Sequence, residues 1–486
     1  MNFLEEDGIY YPQDYYVEEI KLIPVSGESI DLRKIMRELS IYEDIFSFAV
    51  SGYVKIEDGI GIIDGLNLIG QEYLKITFGK VKDDPDMHSK TYKLYKIADR
   101  APSGNFMTEY YTLHFCTEEL LLSEKTKISK SYSGRQINDM VYEILTEQLE
   151  VPEKRINSIQ DTMGIYDFVV PRFKPFEAIS WLSCYARPSV GKGADMLFYE
   201  TAAGYNFRSL QSLFKQPSFA SFLYQQKNIS DTSFDETTRT IITFEFPKAL
   251  DVMDEVSSGT YASKLISLDP VQRKQTVTKF NYQKYEADNE TSSLNGNPIM
   301  NGFQDRFGKS LSNSPDSLLK LVTGNSKQSE QPYIAETDAA SKDIFIEQYV
   351  PNRTAQISLA THTILKIVVP GRTALLAGKV VEVRFPSIEQ KSEGGEAVRE
   401  EDKGYSGRYL VTALRHIVQP YSQSFQTILE LAKDSSQEKM TGIDTSNLEL
   451  DEIVAGLFDV NITDMFGTAR TEEEIQASAD LGDFTG

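Results

Sequence analysis

Along the first quarter of the chain, apolar and polar residues alternate with a period of two. The segments YYVEEIKLIPV, FSFAVSGYVKI, EYLKITF, TYKLYKIAD and TEYYTLHF, all within 15–118, show the pattern of half-buried strands. Two stretches interrupt it. DLRKIMREL places Leu32, Ile35, Met36 and Leu39 on one helical face, and GIGIIDGLNLIG is rich in glycine. Between 119 and 257 the period changes. Ser133 and Gln136 have the spacing of a capping box, and Ile137, Met140, Val141, Ile144, Leu145 and Leu149 follow at helical spacing. A second helix is predicted after Pro175, running FEAISWLSCYAR to a stop at Pro188. MLFYE and YNFRSL flank Ala202-Ala203-Gly204 as a hairpin.

Strand patterning returns over 258–284. A polar stretch at 285–343, rich in Asn, Ser, Gly and Gln, reads as a long loop that orders, if at all, against a partner. From 355 to 433 the pattern predicts strands in AQISLATHTILKIVVPG, KVVEVRFP, RYLVTALRHIV and SFQTILELA. Near the C-terminus Leu450, Ile453, Val454, Leu457 and Phe458 recur at helical spacing behind a Ser446/Glu449 capping box. That apolar face needs a partner, so these five residues are the candidate partner interface. The predicted fold class is mainly β with an α+β insertion. Its parts are a first antiparallel β-barrel over 1–118, an α+β middle domain over 119–257, a second barrel over 258–436 carrying the 285–343 insertion, and an acidic extension over 437–486.

The two barrels echo one another. Leu74-Lys-Ile-Thr-Phe78 matches Val381-Glu-Val-Arg-Phe385 in residue class. Each is followed by YKLYKIADR or YLVTALRHI, and then by EYYTLHFCTEE or SFQTILELAKD. Alternation alone recurs by chance, but the same three-strand order twice points to duplication of one module.

Composition narrows the function classes. A chain of 486 residues exceeds one ordinary core, and 26 Tyr with 26 Phe suit β structure. Cys116 and Cys184 have no metal or redox spacing and read as small buried hydrophobes. The acidic N-terminus lacks a signal-peptide pattern, and no apolar run reaches membrane-span length, so folding in a reducing cytoplasm without membrane insertion is expected. The formal charge is −22, and residues 438–486 hold twelve Asp/Glu against Lys439 and Arg470, a net of −10. No basic tract exists to neutralise phosphates, which argues against tight nucleic-acid binding. An acidic surface suits a wall that DNA passes without sticking.

Candidate chemistry is sparse. His88, His114, His362 and His416 show no zinc-ligand spacing, and no Gly-x-Ser-x-Gly elbow is present. GFQDRFGKS at 302–310 has five residues between its glycines where a phosphate-binding loop needs four, and DNETSSLNG at 288–296 lacks EF-hand spacing. No catalytic, cofactor-binding or metal residue is assigned.

Several ordered blocks carry a family resemblance. LSIYEDIFSFAVSGYVKIEDGIGIIDGLNLIGQEYLKITF at 39–78 resembles the opening module of the central hub protein of contractile phage-tail baseplates. FVVPRFKPFEAISWLSCYA (168–186) and LFYETAAGYNFRSLQSLF (197–214) resemble that family's middle region. GTYASKLISLDPVQRK (259–274), VVPGRTALLAGKVVEVRFP and SGRYLVTALRHI resemble its second barrel, with Pro370-Gly371 and Ser406-Gly407 at turn positions. The resemblance covers most of 15–436 and departs from the family at 285–343 and beyond 436.

It implies a structural virion protein of the tail baseplate, assembled in the host bacterial cytoplasm. Each subunit of a homotrimer would give two tube-type barrels to a pseudo-six-fold ring. That ring adapts the six-fold tail tube to the three-fold spike, and DNA crosses its lumen without specific binding. Spike, tail-tube and tube-initiator proteins are the implied partners, with baseplate wedge proteins as further candidates. No cofactor and no enzymatic activity are implied. The alternative is a tail-associated cell-wall or polysaccharide hydrolase; a third reading, from β and aromatic content alone, is a host-binding adhesin.

Overall fold

Alternating branched and aromatic residues give the N-terminal strands one apolar face each, and in the computed structural model those faces meet. The structure describes residues 11–25, 28–66, 68–103, 107–190, 193–224, 237–249, 251–269, 273–282, 293–298, 318–323, 346–393 and 396–437. The candidate interface residues Leu450, Ile453, Val454, Leu457 and Phe458, and the 302–310 stretch, lie outside the described residues. The strands are β1 (Tyr16–Ile23), β2 (Ile30–Asp31), β3 (Met36–Asp44), β4 (Ser51–Asp58), β5 (Tyr73–Gly79), β6 (His88–Pro102) and β7 (Glu109–Cys116). They are antiparallel in the order β3-β4-β7-β6-β5-β1-β2. Ile20, Leu39, Val54, Leu74, Tyr92 and Leu113, one from each of the six longer strands, share a single core. All six longer strands thus feed one core. The turn after β2 bonds to both neighbours: Leu32 donates its N–H to Ile20 O of β1, and Glu57 of β4 donates to Ile35 O.

The helical face expected in DLRKIMREL is instead a turn leading into β3. Leu32, Met36 and Leu39 are buried as the spacing asks, but an i, i+4 pair of apolar residues also fits a strand, and the ladder to β4 decides the matter.

The middle region holds β8 (Ile128–Arg135), β9 (Ile156–Ile159), β10 (Tyr166–Phe173), β11 (Met196–Thr201) and β12 (Gly204–Ser209). The predicted hairpin is the β11–β12 ladder, with Thr201 opposite Gly204. The first predicted helix runs Ile137–Glu143 and continues as a π turn through Gln148. Ser133 does not cap it. It lies in β8, and its hydroxyl donates to Asp167 at 2.8 Å. The second helix, Pro175–Ser183, starts on its proline, with Glu177 accepting the Lys174 N–H at 3.0 Å. Ile137, Val141, Ile144, Ile179 and Leu182 enter one core with Phe168, Phe198 and Tyr205. Cys116 is buried, whereas Cys184 is exposed at this helix's C-terminal end, against the expectation of burial.

The later strands are β13 (Ser218–Leu223), β14 (Thr243–Lys248), β15 (Ala262–Asp269), β16 (Lys274–Asn281), β17 (Asn297–Pro298), β18 (Leu319–Thr323), β19 (Thr363–Pro370), β20 (Val380–Arg384), β21 (Pro386–Glu393), β22 (Glu396–Glu401), β23 (Gly407–Gln419), β24 (Ser424–Lys433) and β25 (Ser435–Ser436). AQISLA, predicted as strand, ends the helix Ile346–Ala360. Its buried residues, Ala355, Leu359 and Ala360, fall at helical rather than alternating spacing. β16-β15-β18 form a separate small sheet, and β13 and β14, within the 119–257 stretch, pair with strands of the C-terminal half. The protein is mainly β, with its largest sheet antiparallel but for the β13–β20 pair.

That sheet of 13 strands contains one wiring scheme twice. In the first set, β1 pairs β5, β5 pairs β6, β6 pairs β7, β7 pairs β4, and β4 pairs β3. In the second, β13 pairs β20, β20 pairs β23, β23 pairs β24, β24 pairs β19, and β19 pairs β14. Every ladder has its counterpart in the same chain order; the one reversal is that β13 runs parallel to β20 while β1 runs antiparallel to β5. One irregularity recurs at the same place in both sets. β6 shifts register between Leu94 and Lys96, and β23 between Val411 and Ala413. Beside each bulge, Leu94 donates to Glu72 O at 2.9 Å and Val411 donates to Lys379 O at 2.8 Å. The echoed residues coincide: Leu74 lies opposite Tyr92, and Val381 opposite Tyr409.

Candidate functional site

The two strand sets meet where β3 lies along β23, from Leu39 opposite Val418 to Asp44 opposite Ala413. β23 is long enough to serve two neighbours on one edge. Gly407–Leu410 pairs with β20, and beyond the bulge Ala413–Val418 pairs with β3. β24 covers the opposite edge along almost the whole length.

On one face of this junction the second set lends side chains to the first core. Val418 and Phe425, both with no exposed surface, pack among Leu39, Ile41 and Phe78. Phe78 meets Phe425 edge-on with centroids 5.5 Å apart, a favoured aromatic geometry. His88 lies 5.3 Å from Phe78, and His416 lies 5.7 Å from Phe425, so four rings bridge the sets. Burial, with lesser repulsion from His416 and Lys90, lowers the His88 pKa to about 3. Burial lowers that of His416 to about 4. Both imidazoles are thus neutral spacers with hydrogen bonds, to the Tyr92 hydroxyl at 2.8 Å and the Thr427 hydroxyl at 2.9 Å. Gly371 makes room for Phe425, since a Cβ there would stand 2.1 Å from the ring's Cγ. Gly407, at φ 132°, is the other turn glycine that the fold requires, with Asn295 filling the place of its side chain.

The opposite face is polar. Arg415 donates to Glu38 and Ser40 at 3.0 Å and to the Tyr53 hydroxyl at 2.6 Å, while its guanidinium stacks over Tyr42 at 5.4 Å. Tyr53 also donates to Glu38 at 2.6 Å. Burial would raise the Glu38 pKa, but the Tyr53 hydrogen bond and the Lys55 and Arg415 charges outweigh it and hold the carboxyl below its ordinary range.

Two buried glutamates tie the junction to the middle region. Glu43 of β3 accepts N–H groups from Ala202, in the β11–β12 turn, at 2.6 Å and from Ala377, in the β19–β20 loop, at 3.0 Å. Burial outweighs these bonds and pushes its pKa up to about 7. Folding raises this pKa, so the linked stability is fully present below the ordinary carboxylate range and is lost as pH rises through about 7. Glu200 of β11, with no exposed side-chain surface, accepts the Val50 N–H at 2.9 Å and the Thr117 hydroxyl at 2.8 Å. It also pairs with Lys90 at 2.6 Å and Arg155 at 3.0 Å, and Arg155 holds Glu119 in turn. Two carboxylates and two cations balance, which is the condition for burying charge tolerably.

The nearest approach to catalytic geometry is Tyr261–Glu255–His362, where the phenol and the imidazole Nδ1 both bond the Glu255 carboxyl. All three are about 1% exposed, so no substrate reaches them in this structure. Among the described residues no cluster of His, Cys, Asp and Glu could hold a metal ion, and no helix is long and apolar enough to cross a membrane. Sequence reasoning assigned none of Glu38, Glu43, Glu200, Arg415 and Phe425 to a site. Their partners lie far along the chain, and only the duplicated strand order hinted that the sets are related.

No protein-family model matches the chain. Among solved structures, a tail protein from Neisseria meningitidis MC58 is 12% identical, with a TM-score of 0.47, covering 87% of this chain and 97% of that one. The 43 kDa tail protein of prophage MuSo2 from Shewanella oneidensis is 8% identical, with a TM-score of 0.48, covering 86% and 98%. In sequence, the chain is 25% identical over 410 residues to a probable baseplate hub protein, gp334, of Vibrio phage KVP40, covering 82% of this chain and 89% of that one. The likeness read from the ordered sequence blocks is therefore found along most of the chain: it is similar to a phage baseplate hub protein.

Proposed function

We propose that this chain is a structural subunit of the baseplate hub of a contractile phage tail, and that its work is geometric rather than catalytic. The observation that carries this reading is the repeated wiring of the two strand sets, joined edge to edge in one sheet. The similarity to a probable baseplate hub protein supports it. A chain with two equivalent modules turns three copies into a six-module ring. Such a homotrimer presents pseudo-six-fold symmetry to the tail tube and three-fold symmetry to the spike, with a lumen for DNA. The net charge of −22 fits a wall that repels phosphate. The division into 1–118, 119–257, 258–436 and 437–486 belongs to the same reading, with β13 and β14 of the 119–257 stretch lent to the second strand set, as does docking of the 446–458 helix on a neighbouring subunit or protein.

A mass measurement of the purified particle, alone and mixed with the spike protein, tests the ring. Three chains are expected, and a monomer under both conditions sinks the reading. Replacing Ile453 and Leu457 with Asp is expected to weaken assembly; unchanged assembly counts against helix docking. A channel lined mainly by Lys and Arg would remove the repulsive lumen.

A further inference from the structure

Two carboxyl groups lie buried where the strand sets meet the middle region, and only one has cations to balance it. Glu200 pairs with Lys90 at 2.6 Å and Arg155 at 3.0 Å. Glu43, 2% exposed, makes no ion pair among the described residues; one oxygen takes the Ala202 N–H and the other the Ala377 N–H. A buried carboxylate served by two N–H groups and no cation is costly to keep charged. We propose that Glu43 is a proton-operated latch: protonated, it keeps the β11–β12 turn on β3, and ionised, it lets the turn come away.

The groups around Glu43 set the direction. Lys90 of β6 favours its charge, but that ammonium is drawn onto Glu200, and Glu200 of β11 repels a second negative charge. Tyr92 of β6 and Tyr199 of β11 bring phenols that burial keeps neutral. β23 places the apolar Leu414 opposite, and the β19–β20 loop meets the carboxyl with Ala377. Burial first, and then the Glu200 charge, raise the pKa to about 7 against the two N–H bonds and Lys90. A form with Glu43 in water has the ordinary, lower carboxylate pKa. The closed form therefore binds the proton more tightly, so its hold is complete below the ordinary carboxylate range. It weakens as pH rises to about 7 and is constant beyond.

The two elements that Glu43 holds are not equally free to move. On the loop side the next residue is pinned as well: Gly378 donates to Val411 O at 2.8 Å, and its carbonyl accepts the Gln216 amide at 2.9 Å. The other element is the Ala202-Ala203 tip of a hairpin whose last pair is Thr201 and Gly204. Ala202 is half-buried and Ala203 exposed, so this tip can leave β3 without unpacking a core. The turn is the part that opens.

Hydrogen exchange of the full-length chain, read by mass on peptides spanning the β11–β12 turn, tests the latch between pH 5 and pH 8. Rates are corrected for the intrinsic pH dependence of exchange. Opening of the turn is expected to rise about tenfold or more across that range in the parent chain, while peptides of β8 and β10 stay level. Glu43→Gln cannot ionise and is expected to hold the turn equally at both pH values. A parent turn that opens equally at both overturns the latch, as does a variant that keeps the parental pH dependence. A rise shared by every peptide is global unfolding and overturns it too. If the variant does not fold, the parent's profile decides: opening that climbs below pH 7 and levels off above it supports the latch, and any other shape overturns it.

Discussion

The first and second strand sets share five ladders, yet the halves of β6 and β23 that follow the common bulge differ. In the second set, β23 carries β3 along its C-terminal half, and Leu414, His416 and Val418 are buried. In the first, the corresponding half of β6 ends in four exposed residues. β6 is the longer strand and carries a second register shift, between Ala98 and Ala101, that β23 lacks, so the two halves differ in local pattern as well as in burial. In the second set the neighbour that buries this half is β3, supplied by the first set of the same chain.

Substitutions can break this comparison. The largest effect is expected at Phe425, which joins the second set to the first core and has no exposed surface. Phe425→Ala should cost about 3–5 kcal/mol in denaturant unfolding, while Phe244→Ala, at a partly exposed site in β14, should cost well under half of that. Similar values for the two would show that the junction is no better packed than the β14 site. Glu200→Gln strips the shared carboxylate from Lys90 and Arg155, and a loss of about 3 kcal/mol is expected. A neutral result there would mean that solvent screens the cluster. Gly371→Ala drives a methyl into the Phe425 ring and should lower stability by about 1–3 kcal/mol. In the Phe425→Ala background that penalty should shrink, which a double-mutant cycle reads directly.

The smallest effect is a pH dependence. His416 is held at about 4 in the folded chain against an ordinary 6.5. The unfolded chain therefore binds the proton more tightly, and the linked stability is present above pH 6.5 and lost as pH falls toward 4. Thermal midpoints of the parent and His416→Gln are expected to converge over that range. Parallel curves would show that His416 is not held neutral.

Much of the fold was legible in the chain. Alternation located the strands of the first set because a half-buried strand needs an apolar residue at every second position. The echo of Leu74–Phe78 in Val381–Phe385 marked the duplication, and those residues hold corresponding places in the two sets, Leu74 opposite Tyr92 and Val381 opposite Tyr409. Two readings failed for one reason: short apolar spacings suit both helix and strand. DLRKIMREL became turn and strand because β4 offered a ladder, and AQISLA became helix because Ala355, Leu359 and Ala360 share a helical face. The site was far less legible. Glu43 and Glu200 look like any two of 72 acidic residues until the fold buries them against Ala202, Ala377, Lys90 and Arg155.

By itself, then, the sequence determined the strand content, the helical middle region and the repetition of one module, since these depend on periodicity and order along the chain. Tertiary structure alone decided that β3 completes β23 and that Phe425 serves the other set's core. Pairing between strands hundreds of residues apart is fixed by which edges the folded modules bring together. No local pattern encodes that.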